Sequence, residues 1–359
     1  MSQAPYTVVL IVPTGVGAAI GGYAGDALPV ARAISQICDR LITHPNVLNG
    51  AQLYWNLPNA LYVEGYGLDK FAAGCWGLRP VHQNRVGLIL DQAIETELRL
   101  RHLQAADATR ATLGLNLTDY VITDAPLNVE LRTAASGASW GTIGNPGSLL
   151  RAAQVLIEQA RANAIAVVAR FPDDIDSKAL EAYRHGQGVD ALAGAEAVIS
   201  HLIVRNFQIP CAHAPALMPL PLDPKLSVRS AAEELGYTFL SCVLVGLSRA
   251  PQFVVARNNL LSPSSSRDIW AEEVDAIVVP ATACGGKALL SLSQSGSQVI
   301  AVEENQTSIM PVTPEMLGIK AMRVQSYLEA LGLMVAHRAG ISADALSPNL
   351  SSLHRLSLS

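Results

Sequence analysis

Short, fully apolar runs alternate with helix-length stretches along almost all of this chain, and that alternation restricts it to one class of fold. A strand buried on both faces reads as an unbroken β-branched run, without polar residues at every second position. Residues 7–12 (TVVLIV), 86–90 (VGLIL), 165–169 (IAVVA) and 277–280 (IVVP) are runs of this kind. Patterns of helical period lie between them, such as the stripe Leu149, Ala153, Leu156 and Ala160 behind the capping pair Asn145 and Pro146. Strand, crossover helix and strand in repetition define a parallel sheet. The expected fold is therefore α/β, a largely parallel sheet with helices on both faces and room for two lobes. The lobes are expected over 1–207 and 228–341, joined by the proline-rich crossing 208–227 and followed by a flexible tail over 342–359.

Finer elements follow from the same patterns. Helices are expected over 26–41 and 92–113, and a last one carries Val324, Leu328, Leu331 and Val335 on one face. Residues 120–123 and 237–245 read as strands, and 258–268 as a mobile surface loop. A weak echo joins 10–22 to 277–288: each is strand, proline, small residues and paired glycines.

Composition removes several function classes. The net charge is −5 and only 15% of residues are charged, so no basic stripe exists for nucleic acid. Half the residues are hydrophobic, which suggests surface hidden in a homo-oligomer. No apolar run reaches the roughly 18 residues of a membrane span, and the N-terminus lacks a basic region ahead of its apolar run. Cys38, Cys75, Cys211, Cys242 and Cys284 are odd in number and scattered, which fits reduced thiols in the cytoplasm. The expectation is a cytoplasmic protein with no membrane or nucleic-acid partner.

Chemistry concentrates in residues 274–305 (VDAIVVPATACGGKALLSLSQSGSQVIAVEEN). Gly285 and Gly286 precede Lys287 where a helix should begin, and a cation there opposes the helix dipole. With five lysines against twenty arginines, this lysine calls for an anion, held with the N–H groups of the glycine turn. The turn lacks the P-loop's first glycine (Ala281) and its Ser/Thr (Ala288), which argues against NTP hydrolysis. Glu303 and Glu304 follow a strand, at the edge where open α/β sheets bind ligands, and one of them would serve as general base. Asn305, Thr307 and Thr313 would support it. Cys284, near a helix start, reads as an activated thiol with Cys75 as partner, or as small apolar filler.

The first glycine loop (TGVGAAIGGYAGDA) has Gly15 and Gly17, but Ile20 where a dinucleotide fingerprint needs glycine, with Gly21 and Gly22 arriving late. It reads as a cradle for phosphate or carboxylate, or as a structural turn. Asp124 ends another strand and joins the candidate ligand-binding set. Asp173, Asp174 and Asp176 would hold Mg²⁺ or cap a helix. Residues 137–147 form a second glycine loop whose Trp140 covers a ligand or packs beneath the loop. Cys211, His213 and His44 lack the second ligand pair of a structural zinc site, so none is expected. No cofactor is expected.

The segments PTGVGAAIGGYAGDALP, HPNVLNGA, VVPATACGGKALLSL and VIAVEENQT together resemble an uncharacterised family, a domain of unknown function found in cyanobacteria and plant plastids. The resemblance spans nearly the whole chain and supplies no activity. It implies a housekeeping role in a photosynthetic-type cell. More remotely, the glycine loops with a strand-end carboxylate look like nicotinate-nucleotide phosphoribosyltransferases of corrinoid synthesis, by analogy alone. The residues themselves lead to an enzyme of group transfer on a small anionic, phosphorylated metabolite. A non-catalytic metabolite-binding regulator or assembly factor, and a cysteine-dependent racemase or isomerase, are the alternatives.

Overall fold

Two parallel sheets organise the chain, each built on the buried runs seen in the sequence. The computed structural model describes residues 4–14, 27–48, 55–172, 177–190, 192–234, 240–255 and 267–355. The chain opens with β1 (Thr7–Leu10), α1 (Leu28–Ser35), β2 (Arg40–Thr43), α2 (Pro45–Leu48), β3 (Ala60–Tyr62), α3 (Gly65–Ala72) and β4 (Trp76–Arg79). Its middle forms β5 (Val86–Leu90), α4 (Thr96–Leu113), β6 (Leu117–Ile122), the hairpin β7 (Val129–Thr133) and β8 (Ser139–Ile143), α5 (Pro146–Gln159) and β9 (Ala164–Arg170). Then come α6 (Ser177–Arg184), α7 (Ala193–Phe207), β10 (Cys211–Ala216), α8 (Ala231–Glu234), α9 (Leu240–Ser248) and β11 (Gln252–Val255). It closes with β12 (Ala276–Pro280), α10 (Lys287–Leu292), β13 (Gln298–Val302), β14 (Ala321–Val324) and α11 (Tyr327–Arg338).

The larger sheet runs β14-β13-β12-β1-β2-β3, parallel throughout. This is a doubly wound order whose connections reverse between β1 and β12. The two echoing segments therefore begin on neighbouring strands. The smaller sheet, β10-β9-β5-β6, is also parallel. Its strands fall between the two halves of the larger sheet, so connectivity does not divide the chain at 208–227. Residues 7–62 and 276–324 make one sheet and 86–216 the other, with β10 itself inside the expected crossing.

One helix welds the sheets together. Leu240, Val243, Leu244 and Leu247 of α9 share a single core with Val8 and Leu10 of the larger sheet and with Leu88, Ala166 and Ala214 of the smaller. The sequence predicts a strand over 237–245, whereas the described part of that segment is helical. A run apolar on every side carries no period to separate the two. Gly246 permits the close approach, since a Cβ there would stand 2.7 Å from the Tyr62 ring. Buried Asn84 closes the helix end. Its side chain donates to the carbonyls of Leu247 and Ala250, both at 2.8 Å, and its N–H to that of Ser248 at 2.7 Å.

Other differences have local causes. The helix expected over 26–41 stops at Ser35, because the Asp39 carboxylate turns back to accept the Tyr6 N–H at 2.7 Å and β2 begins. The helix expected from Gln92 starts at Thr96. Before it, buried Asp91 accepts N–H bonds from Ala93 (3.1 Å), Leu127 (3.0 Å) and Arg170 (3.1 Å), tying three loops at the sheet edge. The second glycine loop is largely the β8 strand of a hairpin. Gly141 lets α7 settle on it, since a Cβ would lie 2.4 Å from that of Ala195. Trp140 stands on β8, 42% exposed, with the Arg132 guanidinium 5.1 Å from its ring.

Replacing Asn84 with Ala strands buried carbonyls and should cost about 3 kcal/mol. Urea unfolding would show this as a lower midpoint with an unchanged slope. A midpoint equal to wild type would mean that water replaces the amide.

Candidate acid–base site between the sheets

The carboxyl ends of β1, β2 and β3 open towards α7 and β10 of the smaller sheet. Between them lies a pocket of about 150 Å³, lined by Thr14, His44, Asn46, Glu64, Asp190, Glu196, Ser200, His201 and His213 among others. A cavity of that scale holds a benzene-sized group, hence the reacting part of a small metabolite.

Glu64 follows β3 and caps α3. Its Oε2 accepts the N–H groups of Tyr66 at 2.9 Å and Gly67 at 3.1 Å, the favourable place for an anion. That fixes Oε1 towards the pocket, where it meets His201 Nε2 at 2.8 Å and Ser200 Oγ at 3.5 Å. Gly65 makes room, as a Cβ there would press to 3.2 Å from His201 Nε2. Glu196 and Ser200 lie one turn apart on α7, and both reach His213 of β10. Ser200 Oγ is 3.3 Å from His213 Nδ1, and Glu196 Oε2 is 3.7 Å from His213 Nε2.

The charges in the pocket are tuned by these neighbours. Burial draws the His201 imidazole down, but the hydrogen bond and charge of Glu64 and the charge of Asp69 prevail and raise it above its ordinary value. Asp190 accepts the Leu192 N–H at 2.8 Å, where α7 begins. Burial first, then the Glu196 carboxylate, push it up to about 7. Asp190 is thus an acid raised towards neutrality beside a second carboxyl group, the setting in which a general acid can stand near a general base. His44 accepts the Val12 N–H at Nε2, 3.0 Å away, and burial pushes it down to about 4. Asn46 donates to the Val12 carbonyl at 2.9 Å, so the root of the first glycine loop is clamped.

The residues singled out in the sequence are distributed around this pocket and elsewhere. Gly15, Gly17, Gly21 and Gly22 lie outside the described residues, directly after pocket-lining Thr14; Asp173, Asp174 and Asp176 are also outside. Gly285, Gly286 and Lys287 are exposed at the start of α10. Lys287 has a carboxylate of the chain near it. Asp69 of α3 accepts the Ala288 N–H and lies within electrostatic range of both Lys287 and His201, linking the GGK turn to the pocket. The Asp69 carboxyl is itself raised, by burial.

Cys284 is fully buried, its Sγ 3.6 Å from the Pro280 carbonyl, and burial pushes the thiol up to about 11. That is the opposite of the lowering expected at a helix start. The helix is short, and apolar side chains enclose the sulfur. Cys75 is exposed. Glu303 pairs with Arg323, which also forks onto Glu315 at 2.8 and 2.6 Å. Glu304 is exposed and accepts the Tyr327 N–H at 2.8 Å, at the start of α11. Buried Asn305 donates to the Tyr327 hydroxyl at 2.7 Å, and the Thr307 N–H bonds Thr282 Oγ1 at 2.8 Å. Thr313 bonds Glu315. These groups occupy the β13–β14 half of the sheet edge, across the sheet from the pocket. Asp124 is exposed and held down to about 2 by hydrogen bonds from Arg151 and Ser148.

His44 and His213, weighed in the sequence only as part of a zinc set, do meet in the pocket, while Cys211 is buried in the core. Among the described residues, the three-residue group with metal-ligand atoms within 4.8 Å of one another is Glu181, His185 and Asp223, on the surface.

Fold and pocket together define a doubly wound α/β protein with an inserted parallel sheet and paired carboxylates and imidazoles at the joint. The chain belongs to the family of proteins of unknown function DUF3326, which matches residues 7–347. It is also 60% identical over 342 residues, 95% of this chain and 93% of the relative, to an uncharacterised lipoprotein of Synechococcus sp.. The uncharacterised cyanobacterial family inferred from the glycine-rich segments is therefore the right one, and neither match assigns an activity. The cytoplasmic expectation is overturned, because the relative's lipoprotein name points to a membrane-anchored protein. No helix among the described residues is long and apolar enough to cross a membrane.

In the unfolded chain His44 takes its proton as pH falls through 6.5, whereas in the fold it resists until about 4. Stability complete above 6.5 is thus lost as pH falls through that window, by about 3 kcal/mol from this group. The margin of wild type over His44→Asn in unfolding free energy should shrink by that amount, read from urea titrations at both ends of the window. A constant margin would show an imidazole in contact with water.

Proposed function

We propose that the protein is an enzyme that uses this pocket for acid–base-assisted group transfer on a small anionic, phosphorylated metabolite. One observation carries the reading: the raised Asp190 carboxyl, Glu196 with His213, and a glutamate-held imidazole line a single cavity at the carboxyl edge of a doubly wound sheet. Asp190 supplies the proton to a leaving group, and Glu196 with His213 accepts one from the attacking group. His201, its imidazole raised by Glu64, meets the substrate's negative charge. Glu303 and Glu304 have no part in this assignment, being committed to Arg323 and α11. A thiol mechanism gains no support from a buried, raised Cys284.

A thermal-shift screen against inorganic phosphate, nucleotides, nicotinate mononucleotide, phosphorylated sugars and simple carboxylates should give a selective hit. A compound present at about 100 times its Kd stabilises by about 2.7 kcal/mol. With a substrate in hand, Glu196→Gln should lower turnover by about 10²- to 10⁴-fold while binding stays within a few-fold. Unchanged turnover would remove the acid–base role. A ligand that binds and is never converted would make the protein a metabolite-binding regulator.

A further inference from the structure

We propose that the Ser200 hydroxyl is a proton relay that joins two imidazole–carboxylate pairs, His201–Glu64 and His213–Glu196, into one acid–base unit. The relay deepens the acid–base reading of the same pocket, but it rests on hydrogen-bond geometry and needs no substrate for its test. Four contacts run in sequence: His201 Nε2 to Glu64 Oε1 at 2.8 Å, Glu64 Oε1 to Ser200 Oγ at 3.5 Å, Ser200 Oγ to His213 Nδ1 at 3.3 Å, and His213 Nε2 to Glu196 Oε2 at 3.7 Å. Three elements converge to make this chain. Glu64 comes from the end of β3, Ser200 and the outer groups from α7, and His213 from β10.

The geometry sets which atoms exchange. Glu64 Oε2 is tied to the N–H groups of Tyr66 and Gly67, so Oε1 alone turns to the pocket, shared by His201 and Ser200. On His213, Nε2 faces Glu196 and keeps its hydrogen, leaving Nδ1 as the nitrogen that exchanges. Starting from a His213 imidazolium and a neutral His201 whose Nε2 carries no hydrogen, the His213 Nδ1–H bond breaks and that hydrogen joins Ser200 Oγ. In the same event Ser200 passes its own hydrogen to Glu64 Oε1, which hands it to His201 Nε2. One proton has moved from His213 to His201. Serine ends as it began, with its O–H now directed at Nδ1, and no other bond changes. The oxygen of Ser200 is 2% exposed at the residue level and sits beside two acceptors, Glu64 Oε1 and the Ala197 carbonyl at 3.3 Å. Those neighbours suit a relay and oppose an attacking alkoxide.

The charged and titratable groups around the unit all come from elements already described. His201 faces Glu64, Asp69 and Tyr66 from β3 and α3, with Lys287 of α10 beyond Asp69. His213 faces Glu196 of α7, with Asp190 and His44 lining the same pocket and Cys211 on its own strand. Each imidazole thus has a carboxylate beside it, Glu64 at His201 and Glu196 at His213.

Ring resonances of the full chain labelled in histidine, followed by NMR across about pH 4.5 to 9, test this. In wild type, His201 and His213 should each titrate in two steps with common midpoints, as coupled sites do. Ser200→Ala should turn both into independent single steps, while Ser200→Thr, which keeps the hydroxyl, should restore the coupling. His213→Asn should likewise leave His201 with one step, which keeps the test decisive if Ser200→Ala does not fold. Independent single steps in wild type, or curves unmoved by Ser200→Ala, would overturn the relay. Coupled imidazoles with no ligand found would leave the relay standing and the enzyme reading fallen; turnover with uncoupled imidazoles would do the reverse.

Discussion

Everything at the pocket depends on an apolar helix held between two sheets. α9 is apolar but for its serines, of which Ser241 accepts a bond from Thr109 of α4 at 3.0 Å, so it is stable only where apolar surface covers its other sides, and the two sheets provide that surface. Burial of such a helix brings a debt at its end, where carbonyls have no partner in the helix. Asn84 settles it from the chain that leads into β5, so the joint between sheets is sealed by packing and by hydrogen bonds together. The same joint sets the distance between the β1–β3 edge and α7. The pocket is the gap left between two surfaces that α9 has fixed.

The pocket's electrostatics carry opposing costs. A neutral His44 resists protonation, so it contributes stability above 6.5 that is lost towards about 4. Asp190 works the other way: with its acid raised, its contribution is full below 3.8 and lost as pH rises towards about 7. Perturbed groups facing one cavity are the usual mark of a site kept for chemistry.

Much of this was legible in the sequence, for identifiable reasons. The long β-branched runs became β1, β5, β9 and β12 because strands buried on both faces tolerate no polar position. The glycine-rich turn before Lys287 was correctly placed at the carboxyl end of a strand. The carboxylate near it was not visible, since Asp69 lies on a helix more than two hundred residues away in the chain. The short strand β3 (ALY) is too brief to stand out, which hid Glu64, although a carboxylate between YV and GYG is a fair signal for a strand end followed by a helix start. Glu196, Ser200 and His201 drew no expectation from the sequence. Their meaning comes from Glu64 and His213, which the fold delivers from two other segments.

The insertion of one sheet within the other has a consequence for how the protein is made. β1 pairs with β2 early, but its other edge must wait for β12, and the Thr7 N–H meets Asp275 across a separation of 268 residues. During synthesis the open edge of β1 is an unpaired row of donors and acceptors beside a growing chain. The crevice at the reversal point between β1 and β12 cannot exist until more than three quarters of the chain has emerged. Chain order thus makes the switch point of the larger sheet a late product of folding, slow to close and exposed to mispairing until it does.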